Sequence, residues 1–212
     1  MLTDHAPAGL RVGLVPARRP AAAIFDFDGT LVDTGTLNTD AVRASFDDLA
    51  LTVPEPWLRQ APLADLGALR ARLRADLGLD LPCTDREFVA RTRAHWLTGS
   101  VRARPVPPVA AAARHLAATV PIAVASANDG QVVRAGLAAV GLADVFNVVV
   151  AREHVAHLKP APDAYLLAAA RLHTDPHRCL AFENTCAGVA AAHAAGMPVI
   201  DVRQDTWTVR HP

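Results

Sequence analysis

The chain has 212 residues, 51% of them hydrophobic, and its 21 acidic and 21 basic side chains balance to no net charge. This balance gives no electrostatic basis for binding nucleic acid or an anionic membrane surface, and no apolar run approaches the ~20 residues that a membrane-spanning helix needs. Three widely spaced cysteines form neither a disulfide framework nor a zinc motif, so a reducing cytoplasm is the expected location.

The first part of the chain contains a tail and the first strand. Residues 1–20 include three prolines and two glycines, which predicts a flexible N-terminal tail. The apolar run 21–25 follows, and it is ended by acids and a glycine. Such a run is typical of a buried parallel strand that leads into a loop. The sequence of that loop is Asp26-Phe27-Asp28-Gly29-Thr30.

The segment 36–104 has helical spacing. Leucines form one stripe and arginines lie mostly on the other side; the stripe consists of Leu63, Leu66, Leu69, Leu73 and Leu77. A second amphipathic stretch, 86–97, follows Asp85 and ends near Gly99. Because no alternation typical of strands is present, we predict a small, all-helical domain over 36–104, inserted after the first strand.

Strand and helix signals alternate from residue 105 onward. The predicted strands are 121–125, 145–150, 179–182 and 198–202, and the predicted helices are 110–118, 131–140, 162–172 and 189–195. This alternation predicts an α/β fold with a doubly wound parallel sheet. The predicted core therefore comprises residues 21–35 and 105–212.

Polar side chains follow four of the predicted strands. They are Asp26 and Asp28, then Ser126 with Ala127 and Asn128, then Lys159, and last Glu183 and Asn184. Because the carboxyl ends of parallel strands meet at one edge of a sheet, we expect these groups to line a single crevice. A hydroxyl and backbone N–H groups at a helix N-terminus bind phosphate oxygens, and carboxylate and amide oxygens suit Mg²⁺.

Lys159 is the only lysine in a chain that otherwise uses arginine. Arginine presents a planar fork of donors, whereas lysine presents a compact ammonium. A lysine at this position therefore indicates a site that needs a point charge, as a phosphate site does.

Three motifs carry a family resemblance: Asp26-Phe27-Asp28-Gly29-Thr30-Leu31-Val32-Asp33-Thr34, Leu158-Lys159-Pro160-Ala161-Pro162-Asp163 and Phe182-Glu183-Asn184-Thr185-Cys186-Ala187-Gly188-Val189. Their order and spacing resemble the haloacid dehalogenase superfamily. More narrowly, they resemble its β-phosphoglucomutase-like branch of sugar phosphatases and mutases. The resemblance covers roughly residues 21–203, and it implies a Rossmann-like core with a helical cap after the first strand.

The resemblance also implies roles for the residues that match. Asp26 would be the nucleophile that forms an aspartyl-phosphate. Asp28 would protonate the leaving oxygen and then activate water, and its backbone carbonyl would ligate Mg²⁺. Phosphate oxygens would be held by Ser126, Ala127, Asn128 and Lys159. The metal site would be formed by Asp26, Asp28, Glu183 and Asn184.

Two rival functions stay open at this point. Mutases of this branch carry a glycine and an arginine in a cap loop and a histidine early in the cap. Here Ala61 replaces the glycine and Asn38 stands at the histidine position, which weakens the mutase interpretation. Arg59 or Arg70 could still bind substrate. Asn184, where many relatives carry aspartate, allows a third hypothesis, a non-catalytic phosphometabolite-binding protein.

We therefore predict a Mg²⁺-dependent phosphatase that hydrolyses a small phosphorylated metabolite, a sugar or polyol phosphate, through an aspartyl-phosphate. The first alternative is a phosphohexomutase. The expected partner is the small-molecule phosphate ester alone, without nucleic acid or membrane, and the expected assembly is a monomer or weak homodimer.

Overall fold

The computed structural model describes residues 19–63, 65–204 and 207–212. The predicted tail 1–20 lies outside the described residues except for its last two positions. No helix in the described ranges is long and apolar enough to cross a membrane. The chain packs as two units. One consists of residues 34–104, and the other, the core unit, consists of the described residues on either side of that segment.

The first strand, the helical segment and the later alternation of strands and helices occur in the predicted order, whereas the short strands β2, β3 and β8 were not predicted. Among the described residues the strands are β1 Ala22–Phe25, β2 Val32–Asp33, β3 Arg104–Pro105, β4 Ile122–Ala125, β5 Val148–Val150, β6 Cys179–Glu183, β7 Val199–Asp201 and β8 Val209–Arg210. The α-helices are α1 Gly35–Asp48, α2 Glu55–Leu58, α3 Leu66–Leu77, α4 Asp85–Gly99, α5 Pro107–Ala117, α6 Gly130–Ala139, α7 Asp163–Arg171 and α8 Cys186–Ala194.

The core unit is built on a six-stranded sheet in the order β5-β4-β1-β6-β7-β8. The first five of these strands run parallel, which confirms the predicted fold class. β8 pairs antiparallel with β7. The sequence did not predict β8 because two residues are too few to show any alternation.

The central strand β1 is buried on both faces, as expected of a strand in the middle of a parallel sheet. On one face Ile24 belongs to an alanine-rich core that includes Tyr165 and Met197. On the other face Phe25 stacks on Phe182, with ring centroids 4.4 Å apart. Successive side chains of a strand point to opposite faces, so β1 contributes to both layers of the core.

The helical unit has its own apolar core. Leu69 and Leu73 of the predicted stripe are buried, and Leu63, Leu66 and Leu77 pack against the same cluster. Helix α4 begins with a capping box in which Thr84 and Glu87 bond reciprocally, and α3 ends at Gly78 in the left-handed conformation. Local caps therefore mark the end of α3 and the start of α4, the two amphipathic helices that the sequence predicts.

Candidate active site

The register of the sheet brings the predicted site residues to one edge. Phe25 pairs with Val124 on one side and with Phe182 on the other. Asp26 follows Phe25 directly, Glu183 follows Phe182 directly, and Ser126 comes two residues after Val124. Three polar positions that are far apart in the chain are therefore neighbours at the carboxyl ends of adjacent strands, where ligands bind in open α/β sheets.

The loop after β1 is a tight turn that returns the backbone on itself. Gly29 has φ +72°, its N–H donates to Val32 O at 2.7 Å, and the N–H groups of Leu31 and Val32 both donate to Phe27 O at 3.1 Å. A left-handed φ strains any residue with a Cβ. The glycine of the motif is therefore required by the turn that presents Asp26 and Asp28.

Lys159 joins two carboxylates across the site. Its Nζ lies 2.6 Å from Asp26 Oδ1 and 2.6 Å from Glu183 Oε1, and it also donates to Ala125 O at 3.0 Å. An ammonium has three protons and no acceptor, so these three acceptors use its full capacity. The compact ammonium that the sequence indicated is therefore fixed by three hydrogen bonds within the core unit.

Glu183 is fully buried, and both of its carboxylate oxygens are occupied. They accept from Lys159 Nζ at 2.6 Å, Tyr165 OH at 2.9 Å, Asn184 N at 2.9 Å, and the N and Oγ1 of Thr185 at 3.1 Å each. A Cβ at Gly188 would lie 1.8 Å from Glu183 Oε1, so only glycine leaves room for the carboxylate. Because five donors saturate it, the geometry argues against the predicted direct contact of Glu183 with a metal.

The charges in this cluster are unbalanced when Asp26 and Glu183 are both ionised. Burial and the neighbouring charge of Glu183 raise the pKa of Asp26 to about 7, although Lys159 opposes the rise. Burial lowers the pKa of Lys159, but the carboxylates of Asp26 and Glu183 outweigh it and raise that pKa overall. Two ionised carboxylates around one ammonium leave one negative charge unbalanced, which one further positive charge would neutralise.

The loop after β4 is braced from two sides. Asn128 N donates to Ser126 Oγ at 3.0 Å, and Arg152 Nε donates to Ala127 O at 3.1 Å. The side chain of Asn128 donates to both carboxylate oxygens of Asp28, at 3.3 and 3.2 Å. The loop that carries Ser126, Ala127 and Asn128 therefore lies beside Asp28, and the amide nitrogen of Asn128 points at that aspartate.

The residues around Asn184 fit a hard divalent cation. Asn184 Oδ1 is buried without a hydrogen-bond partner among the described residues, and a Cβ at Gly29 would lie 2.2 Å from the Asn184 amide nitrogen. Gly29 therefore allows the amide to approach the turn that carries Asp28. The carboxylate of Asp26, the amide oxygen of Asn184 and the backbone carbonyl of Asp28 are all oxygen donors, which Mg²⁺ prefers. No cluster of three His, Cys, Asp or Glu ligands is present in the described part of the chain.

The sequence did not predict a role for Tyr165, which is fully buried and bonds to Glu183. It is the only tyrosine of the chain, six residues after the only lysine, and this pairing is the signal that could have found it. In the helical unit, Asn38 Oδ1 accepts from Trp96 Nε1 at 2.8 Å. The arginines considered for substrate binding are paired with acids, Arg59 with Glu55 and Arg70 with Asp80 and Asp85.

Comparison with known proteins finds a matching family model and similar relatives. A family model for haloacid dehalogenase-like hydrolases matches residues 20–196. The chain is 35% identical to the fructose-1-phosphate phosphatase YqaB of Escherichia coli (strain K12), over 87% of this chain and 97% of the relative. It is 32% identical to hexitol phosphatase A of the same organism, over 88% of this chain and 85% of the relative.

A solved structure shows the same architecture. CbbY from Rhodobacter sphaeroides in complex with phosphate superimposes with a TM-score of 0.77 and 26% sequence identity, covering 86% of this chain and 85% of that one. The match to the family model extends over most of the chain and includes all the site residues described above. The chain therefore belongs to the haloacid dehalogenase-like hydrolase family, as its motifs indicated.

Proposed function

We propose that this phosphoric monoester hydrolase is a Mg²⁺-dependent phosphatase for a small sugar or polyol phosphate. The observation that carries the proposal is the contact of Lys159 Nζ with Asp26 Oδ1 at 2.6 Å, beside Asp28 and at the edge of the sheet. A carboxylate held by an ammonium next to a second carboxylate suits nucleophilic attack on phosphorus with an acid–base partner. The relatives named for fructose 1-phosphate and for hexitol phosphates support the substrate class.

In the first half of the reaction, a carboxylate oxygen of Asp26 forms a bond to phosphorus and the ester P–O bond breaks. Asp28, in its protonated form, donates its proton to the leaving oxygen, so a neutral alcohol departs. In the second half, Asp28 takes a proton from water, the water oxygen bonds to phosphorus, and the bond between phosphorus and Asp26 breaks. Inorganic phosphate leaves and both carboxylates return to their starting forms.

The remaining residues bind and orient. Ser126 and the backbone of Ala127 bind phosphate oxygens, and Lys159 offsets negative charge on the transferring group. Asn128 orients Asp28 through its amide nitrogen. Its backbone N–H donates to Ser126 Oγ and so closes the loop that binds phosphate. Asp26, Asn184 and the carbonyl of Asp28 would hold Mg²⁺, which when bound neutralises charge on the phosphoryl oxygens. Glu183 supports Lys159.

The helical segment 36–104 is proposed to be the cap that excludes water from the core, 21–35 and 105–212, during catalysis. A phosphatase is favoured over a phosphohexomutase because Ala61 and Asn38 replace the residues expected of a mutase, and Asn38 already accepts a hydrogen bond from Trp96. The enzyme is proposed to act in the cytoplasm as a monomer or weak homodimer. Its three free cysteines suit a reducing compartment.

The test is inorganic phosphate release from fructose 1-phosphate, hexitol phosphates and other hexose phosphates, with Mg²⁺ and with chelator. Asp26→Asn is the inactive variant, and Asp144→Asn, the same change at an exposed position, is the matched control. We expect release that needs both Mg²⁺ and Asp26. Conversion of one hexose phosphate into an isomer without phosphate release would instead establish the mutase, and binding without turnover would establish the non-catalytic protein.

A further inference from the structure

The only tyrosine of the chain lies next to its only lysine. Tyr165 in α7 is fully buried, and its hydroxyl donates to Glu183 Oε1 at 2.9 Å. Lys159 Nζ lies 5.1 Å from the centroid of the tyrosine ring. The ring is thus within the range of a cation–π contact with the same ammonium that holds Asp26.

The hydroxyl of Tyr165 and the ammonium of Lys159 share one acceptor. Glu183 Oε1 accepts from Tyr165 at 2.9 Å and from Lys159 at 2.6 Å. Lys159 divides its remaining protons between Asp26 and the carbonyl of Ala125. Any change in the charge available on Oε1 therefore changes how strongly the ammonium is drawn toward Glu183 and away from Asp26.

Packing explains the ring of Tyr165 but not its hydroxyl. The residue belongs to the apolar core around Ile24 and Ala168, where a phenylalanine would fill the same space. Burying a hydroxyl is unfavourable unless it finds a partner. Here that partner is the carboxylate that holds Lys159, so the hydroxyl acts on the charged cluster rather than on the core.

We propose that Tyr165 is a positioning residue for phosphoryl transfer, which acts by sharing Glu183 Oε1 and thereby holding Lys159 against Asp26. The inference rests on the proposed function, since it assigns Tyr165 a role in the chemistry at Asp26. Without the hydroxyl, Glu183 attracts the ammonium more strongly, and less positive charge reaches the transferring phosphoryl group. The loss therefore falls on the chemical step and not on substrate binding.

The first test is Tyr165→Phe, which removes one oxygen and keeps the ring. We expect kcat for the best phosphate ester to fall about tenfold with KM within about twofold of wild type, as for loss of one hydrogen bond to a charged group. The matched control is Ser45→Ala, which removes a buried hydroxyl from the helical unit, where it donates to Ala41 O at 2.8 Å. This control is expected to lower the melting temperature and keep kcat.

The second test is a double-mutant cycle with Glu183→Gln. If Tyr165 acts through Glu183, then Tyr165→Phe lowers kcat no further, within about twofold, once Glu183 has lost its charge. A kcat of Tyr165→Phe within twofold of wild type, or an equal loss in both backgrounds, would overturn the role of Tyr165 while leaving the phosphatase intact. Wild-type protein that releases no phosphate from any ester would overturn both.

Discussion

Replacing the buried carboxylate of Asp26 with an amide is expected to stabilise the metal-free protein while it abolishes turnover. Burial, with the charge of Glu183, raises the pKa of Asp26 from 3.8 to about 7. This is about three pKa units, and at ~1.4 kcal/mol per unit the ionised carboxylate lowers the free energy of unfolding by up to about 4 kcal/mol at pH 8. Asp26→Asn removes that charge and keeps an oxygen that can accept from Lys159.

The gain in stability is expected to depend on pH. An acid whose pKa is raised in the folded state binds more protons folded than unfolded between the two pKa values, so the stability of the wild type falls as pH rises through that window. For Asp26 the window extends from 3.8 to about 7. The difference in stability between Asp26→Asn and wild type should therefore be near zero at pH 3, less than half of its full value at pH 5, and complete above pH 7.

The measurement is urea unfolding of both proteins in the presence of chelator at pH 5 and pH 8. Asp144→Asn, at an exposed site, is the control and is expected to change stability by less than about 0.5 kcal/mol at either pH. If Asp26→Asn is no more stable than wild type at pH 8, or if its gain is the same at both pH values, the unbalanced charge that we infer at this site does not exist.

Three further changes test other parts of the structure. Asn184→Asp adds a second carboxylate to the metal site and is expected to raise Mg²⁺ affinity tenfold or more by calorimetry; an unchanged affinity would exclude this side chain as a ligand. Gly188→Ala places a Cβ 1.8 Å from Glu183 Oε1, so we expect lower thermal stability and at least a hundredfold loss of kcat, and near-normal values would contradict the close packing of α8 against Glu183. Thr84→Ala removes the capping box of α4 with Glu87 and is expected to reduce stability by about 1 kcal/mol, measured by urea unfolding, with kcat unchanged.

Much of the fold follows from local patterns in the sequence. The apolar run that ends at Asp26 predicts a buried strand, and the glycine three residues later predicts the turn, because φ +72° is open to few other residues. The leucine stripe of α3 predicts its buried face, since Leu69 and Leu73 lie about one helical turn apart. The same patterns give the order of the strands along the chain. Because ligands bind at the carboxyl ends of the strands of an open α/β sheet, Asp26, Ser126 and Glu183 are predicted to converge there.

The sequence by itself determined the fold class and the set of residues that meet at the sheet edge, because periodicity and strand ends are local properties. Only the tertiary structure decided which of these residues contact one another. Lys159 bonds to Asp26 across 133 positions, Asn128 to Asp28 across 100, and Tyr165 to Glu183 across 18. Such partners are chosen by distance and burial in the assembled core, where an unpaired charge is costly, and no local pattern records that choice.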